Sequence, residues 1–427
     1  MKTRAIVLIF MAFQAYNISV FSQNDTIRLG RSSGLQLSGF ARIDYMFDSR
    51  QTAEAVDGLF TFYPMNKQLD ANGKDLNATP KANLIALTSR LSTLFYAPNV
   101  FGANTSAYIE FDFTGGTPNA YGALMRQAYI NLAWTKTNLL VGRTWHPMAS
   151  SCAPNVVAPN KGAPFPAFNR SEQIAFEYKQ DIWTLSAFAV YQGSFSSMGP
   201  SPGTLSTSVQ TSTYKREALL PEFVSHIAYK TPSFQMGAAG SIKSIKPRLY
   251  TMPDYANPTG PKYKTDEKLT TYMVQAYAQY RNADWVMKTQ ACYTQNSTES
   301  LMLGGYAVSA IDPVTGHEKY TPTQHINYWI NVDYGKKWQL GLFAGYLNSL
   351  GTLENVTGAW FARANDIKYM YRISPHVFYN LNNMQFAAEI EYTVAAFGEV
   401  QNNQKAKIVN TSEVANFRTN LMVCFHF

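Results

Sequence analysis

The residues best equipped for covalent chemistry fall between His146 and Cys152, where an imidazole, the hydroxyls of Ser150 and Ser151 and a thiol follow one another closely. A nucleophile of this kind works only when a base is held within hydrogen-bond reach and is itself oriented by a third group. Pro147 and Pro154 bracket the cluster in a Pro- and Gly-rich stretch, and nothing in the spacing fixes one side chain against another. The chain has no His-Glu-x-x-His, no Gly-x-Ser-x-Gly, no phosphate loop and no paired-Cys spacing. No enzyme activity, metal, cofactor or nucleic-acid partner is therefore expected; a hydrolase assembled on a barrel surface is the catalytic alternative. Cys152, Cys292 and Cys424 are odd in number and far apart, so they make no disulfide framework and read as buried or lipid-facing thiols.

A second set of polar residues is patterned. Arg42 and Asp44, Glu110 and Asp112, Lys368 and Arg372, and Glu389 and Glu391 each occupy alternate positions opposite apolar neighbours, with Arg90 and Arg418 placed likewise. Alternation with period two puts charges on one face of a strand and apolar groups on the other. Leu35, Leu37, Ala41, Ile43, Tyr45 and Phe47 form the apolar face of the first segment, and Ile326, Tyr328, Ile330, Val332 and Tyr334 repeat the pattern, as do Ile367, Tyr369, Tyr371 and Ile373. Helical periodicity appears nowhere at useful length.

Connection lengths then decide the architecture. Compact turns are expected near 97–104, 135–138, 179–181, 230–233, 281–284, 334–337 and 380–383. Long Gly-, Pro-, Ser- and Asn-rich loops are expected near 48–80, 114–123, 146–170, 192–218, 243–267, 294–322, 347–365 and 398–412. Seven turns alternating with eight loops join sixteen strands, with short connections at one end and long ones at the other, which is the asymmetry of outer-membrane barrels. A soluble sandwich would mix the two lengths and turn a polar face to solvent. Charged residues are only 15% of the chain, and the 60 aromatics include Tyr45, Phe47, Tyr96, Trp134, Trp183, Tyr191, Tyr229, Tyr280, Tyr334, Trp338 and Tyr346 at strand ends, where interfacial girdles belong.

The expected class is all-β: one closed, antiparallel, sixteen-stranded transmembrane barrel over 35–427, with short periplasmic turns and long extracellular loops. An export signal over 1–22 fits Lys2 and Arg4, the apolar run from Ala5 to Phe13 and the small-residue junction at Ser22, leaving a short periplasmic segment over 23–34. The terminal strand from Phe417 alternates to an aromatic Phe427, like the insertion signal of outer-membrane barrels. Outer-membrane lipid is thus a partner, and the outer membrane of a Gram-negative bacterium is the expected site.

The polar faces must line the lumen, because a charge on the lipid side at mid-depth costs about 2 to 4 kcal/mol. Two strands resist this assignment: Arg126 and Arg143 each fall among apolar neighbours, which calls for an interfacial position or a bulge. The third loop, about 144–170, carries Pro147, Pro154, Pro159, Pro164 and Pro166 and is expected to fold into the pore, with His146, Lys161 and Arg170 as candidate filter charges.

Gly39-Phe-Ala-Arg-Ile-Asp-Tyr45, Ser89-Arg-Leu91, Ala107-Tyr-Ile-Glu-Phe-Asp-Phe113, Leu124-Met-Arg-Gln-Ala-Tyr129 and Leu140-Val-Gly-Arg-Thr-Trp145 resemble the DcaP-like outer-membrane porins, most clearly over about 35–150. The resemblance implies a homotrimer and passive uptake of small hydrophilic, often anionic, solutes such as dicarboxylates. It also implies that Arg42, Arg90, Arg126 and Arg143 are pore-associated. The family's frequent N-terminal coiled coil has no counterpart here, so a trimer would be held by barrel walls alone. A selective anion or sugar channel and a non-conducting surface or adhesion barrel are the alternatives.

Overall fold

The computed structural model describes residues 27–28, 33–115, 122–257 and 259–427; the expected signal at 1–22 and most of the short segment after it lie outside these. Sixteen strands make the wall. They are β1 (Gly34–Asp48), β2 (Arg90–Val100), β3 (Ala103–Asp112), β4 (Leu124–Ala133), β5 (Thr137–Trp145), β6 (Arg170–Gln180), β7 (Trp183–Gly193) and β8 (Glu222–Lys230). They continue as β9 (Phe234–Ile245), β10 (Leu269–Arg281), β11 (Trp285–Gln295), β12 (Glu318–Gly335), β13 (Trp338–Thr352), β14 (Ile367–Leu381), β15 (Met384–Gln401) and β16 (Lys407–His426). Each pairs antiparallel with its chain neighbours, and β16 returns to β1 in a register that sets His426 against Phe40 and Arg418 against Asp48. Gly39 and Phe427 exchange backbone hydrogen bonds of 2.9 and 3.1 Å at this seam. No edge is left along it, as a lipid environment demands.

The outer face is apolar. Ile43, Phe111, Ile130, Phe176, Leu185, Val274, Ile330, Leu342, Ile390 and Leu421 are all exposed on it. Toward the turn end, Trp183 meets Tyr229 at 5.3 Å, Trp285 meets Tyr334 at 4.7 Å and Trp338 meets Tyr379 at 4.4 Å between ring centroids, forming one aromatic belt. Tyr96 is not part of it: its hydroxyl donates to Gln36 Oε1 on the inward face. Such a belt anchors a barrel at the headgroup level. No helix among the described residues is long and apolar enough to cross a membrane, which leaves crossing to the strands.

Seven connections are tight and gather at one rim, at 101–102, 134–136, 181–182, 231–233, 282–284, 336–337 and 382–383. The other rim carries 49–80, after which the short strand Lys81–Ile85 pairs with Asp44–Asp48 of β1 ahead of β2, and then 113–123, 146–169, 194–221, 246–268, 296–317 and 353–366. The eighth connection departs from expectation. Instead of a loop over 398–412, β15 and β16 run on to a tight link at 402–406, because Glu399, Val400 and Gln401 resume pairing with Val409, Ile408 and Lys407 past a bulge at Gly398. Cross-strand pairing there overrides the loop-like composition.

Two bulges correct the reading of faces. Between β3 and β4 the register slips so that Glu110 pairs with Gln127 and Phe111 with Met125, leaving Arg126 as the extra residue and turning it inward. Between β14 and β15, Lys368 is the extra residue; Ile367, expected on the lipid side, is thereby fully buried inside. A bulge inverts the side-chain direction that simple alternation assigns.

Candidate functional site

The lumen is built around the connection 146–169. It opens with the short helical turn α1 (Pro147–Ser150), whose N-terminus is capped by His146 Nδ1 accepting from Met148 N at 3.3 Å. Beyond α1 the chain is stitched to the inward face of the wall. Lys288 Nζ donates to Ala153 O at 2.9 Å, Asn155 N to Asn331 Oδ1 at 2.6 Å and Arg42 Nη2 to Val157 O at 2.7 Å. Ala158 N donates to Glu389 Oε2 at 2.7 Å and Arg372 Nη1 to Ala163 O at 3.2 Å.

Apolar contacts complete the attachment. Phe165 is fully buried against Phe343, centroids 6.1 Å apart, with Cys152, Leu347, Trp329 and Met370 in the same cluster. A Cβ on Gly345 would come within 2.6 Å of the Phe165 ring, so β13 must be bare at that point. The inward face is therefore not uniformly polar: Trp329, Phe343, Leu347 and Met370 point in, because a loop that crosses the lumen needs apolar surface to dock on. On the outer side of the loop, Leu59, Phe60 and Phe62 from the hairpin Thr52–Ala55/Phe60–Pro64 pack on Ala163 and Phe168, and Asn160 Nδ2 donates to Thr61 O.

Charges divide between two walls. On β1 to β6, Arg42 pairs with Asp44 at 2.6 Å, Arg90 lies 3.6 Å from Glu110, and Arg126 binds Glu110 at 2.7 Å and also Asp112. Arg170 opens β6 and is 2% exposed, stacked on Trp145 at 4.9 Å and Phe168 at 5.6 Å. Its Nε and Nη1, and Nε of Arg90, have no hydrogen-bond partner among the described residues. Lys161 completes this group. Burial, with Arg90, Lys288, Arg126 and Arg42 around it, pushes its ammonium down to about 7. Arg42, Arg90, Arg126, Lys161 and Arg170 thus outnumber Asp44, Glu110 and Asp112.

The wall of β12 to β16 carries charges of both signs. His376 on β14 approaches Asp333 on β12 at 3.0 Å, Glu389 receives Ala158 N, and Glu391 faces Arg372 at 3.3 Å. Arg418 is spent on Asp48 at 3.0 Å and on the Gly58 and Asn420 oxygens. Lys368 donates to Ser349 O from its bulge, away from the other charges.

Of the expected lumen residues, Arg143 does not join the lumen charges, and His146 meets only Glu222 among them. Arg143 shares the outward face with Leu139 and Val141; it binds Glu172 at 2.5 Å and Ser194 at 2.6 Å on the outside of the barrel. His146 is consumed by its cap and by Glu222, 3.5 Å away. Asp333, His376 and Lys288 join the lumen charges as well; of the three, Asp333 is legible from the alternation around it. The nucleophile cluster also dissolves. Ser151 Oγ donates to Pro147 O and accepts from Gln275, while burial pushes the Cys152 thiol up to about 11. No three His, Cys, Asp or Glu side chains among the described residues gather as metal ligands.

No protein-family model matches the sequence, and no curated protein matches it. Solved structures do match. The outer membrane channel DcaP of Acinetobacter baumannii aligns over 94% of this chain and 100% of its own at 16% identity, with a TM-score of 0.67. OmpT of Vibrio cholerae aligns over 94% and 100% at 10% identity and a TM-score of 0.55. An anion-selective porin from Comamonas acidovorans aligns over 92% and 100% at 10% identity and a TM-score of 0.54. The chain is a closed sixteen-stranded barrel of the outer-membrane kind, with the fold of the DcaP channel.

Proposed function

We propose that this protein is a porin of the Gram-negative outer membrane, a homotrimer that passes small hydrophilic solutes by passive diffusion and favours anions such as dicarboxylates. The observation that carries this reading is the surplus of cations on β1 to β6 and the third loop, with guanidinium donors of Arg90 and Arg170 unspent on the protein. A carboxylate suits the edge of a guanidinium bidentately, and Arg90, its side chain 22% exposed, is the one of the two that a passing anion reaches directly, with Arg170 buried behind it adding charge. A cation-rich wall beside one whose charges balance sets up a transverse field that turns a polar solute as it passes.

The test is bilayer recording of the purified protein in a salt gradient, followed by Arg90→Gln/Arg170→Gln. Conductance closing in three equal steps, an anion-leaning reversal potential and a shift toward cations in the variant are expected. Silence from folded protein overturns the porin reading. A cation-leaning potential assigns selectivity to Asp333, Glu389 and Glu391 instead.

A closed or gated barrel is the second reading, favoured by the apolar packing of Leu59, Phe60 and Phe62 on the third loop in the mouth. Steps that appear only after residues 52–64 are deleted would support it.

A further inference from the structure

A cavity of about 520 Å³ lies outside the lumen, at the loop-side rim where β5, β6 and β7 end. Its floor is the outward face of the wall. Arg143 is two residues from the end of β5, its side chain 11% exposed, and Tyr191 is two from the end of β7. Below them the same face continues as Val141, Ile174 and Phe176, all exposed and apolar. Its roof is the helical turn α2 (Thr213–Glu217) and the two residues Leu219 and Leu220.

Charge in this cavity is one-sided. Arg143, Lys215 and Arg216 line it against a single carboxylate, Glu172. Arg143 Nε and Lys215 Nζ have no hydrogen-bond partner among the described residues. Glu222, the next acidic group toward Lys215, faces the lumen and is engaged by His146. Burial pushes Lys215 down to about 8, a cost that a bound anion would offset.

The roof residues are as unusual as the charges. Leu219 is 80% exposed and held at φ +67°, a left-handed conformation that a bulky side chain adopts only under strain. Leu220 beside it is 53% exposed. Two projecting leucines over a cationic cavity, at the level where the apolar belt ends, match an amphiphile with an anionic head and a hydrocarbon tail. A soluble anion would leave the leucines in water. A basic pocket on a barrel wall at headgroup level is also where a cation is cheapest on the lipid side.

We propose that this cavity binds the phosphorylated headgroup of an outer-leaflet lipid: Arg143, Lys215 and Arg216 take the phosphate, Leu219 and Leu220 cover the first part of an acyl chain, and the chain runs down past Val141 and Ile174. The site depends on the membrane orientation of the barrel and not on what passes through the lumen.

Native mass spectrometry of the full chain in detergent tests it, with diphosphorylated lipid A, the same lipid with its phosphates removed, and inorganic phosphate as probes. Lysine or arginine near a membrane surface contributes about fivefold each to such binding, so Lys215→Gln/Arg216→Gln is expected to lower occupancy by diphosphorylated lipid A about 25-fold. The dephosphorylated lipid should bind the native protein no better than the variant. Leu219→Ser/Leu220→Ser, which leaves every cation in place, should also weaken lipid binding. Conductance should stay unchanged in both variants, which separates failure of this site from failure of the porin reading. Equal lipid retention by native protein and K215Q/R216Q overturns the proposal. So does complete displacement of the lipid by millimolar inorganic phosphate, which would make this a free-anion site. A fall in oligomer mass without loss of lipid overturns it as well, making the cavity an interface between copies.

Discussion

Phe165→Ala tests whether the third loop is held as a separate unit on an independent wall. Phe165 is fully buried, in contact with Phe343, above the bare backbone of Gly345 and under the Arg372 guanidinium at 5.5 Å. Truncating a buried Phe to Ala costs about 3 to 5 kcal/mol. That loss falls on docking of 146–169, because the hydrogen-bonded ladder of the wall closes without it. The remaining attachments to Lys288, Asn331, Arg42, Glu389 and Arg372 contribute about 1 kcal/mol each, enough to keep the docked state dominant. Undocked excursions should then become about 10² to 4 × 10³ times more frequent, a factor of ten for each 1.4 kcal/mol. Single-channel recording should show wide, brief openings against an unchanged main conductance, while the heat-shift of the barrel on denaturing gels stays within a few degrees. Traces identical to native would refute the docking account. A large drop in barrel melting would refute the independence of loop and wall.

Other outcomes follow from the same contacts. Lys161, with its ammonium pushed down to about 7, gains charge as pH falls through neutrality. Anion preference should therefore strengthen from pH 8 to pH 6, and Lys161→Met should flatten the dependence of reversal potential on pH. Asp112→Asn removes one of two carboxylates from buried Arg126 and should cost about 3 kcal/mol of barrel stability, measured by urea-dependent unfolding in detergent. Asp112→Leu together with Arg126→Met should recover much of it. Gly345→Val should reproduce the flickering of Phe165→Ala by driving the ring off its seat, whereas Gly240→Ala, whose nearest neighbour would lie 4.0 Å from the new methyl, should leave recordings unchanged.

The wall was legible because its pattern is local. Alternation of Arg42, Asp44 and their neighbours with Ile43 and Tyr45 needs only the two-residue repeat of a strand, and the segregation of short and long connections needs only counting. Strand number, closure and the two rims follow from those. The placement of Arg126 and Lys368 did not follow, because one extra residue reverses a face and only the pairing with β3 or β15 reveals it. The resemblance implies a pore-associated Arg143, yet its register with Glu172 turns it to the outer wall.

Least legible was the interior. Trp329, Phe343 and Leu347 interrupt the polar face for no reason visible in β12 or β13; the reason is Phe165, which reaches them across the lumen from a loop more than 160 residues away in the chain. The surplus positive charge around Lys161 has the same origin, since it depends on which carboxylates Arg42, Arg90 and Arg126 meet and which donors Arg170 keeps unspent. Sequence determined the barrel because β-alternation repeats along the chain. Tertiary structure decided the site because the contacts between loop and wall have no period to read.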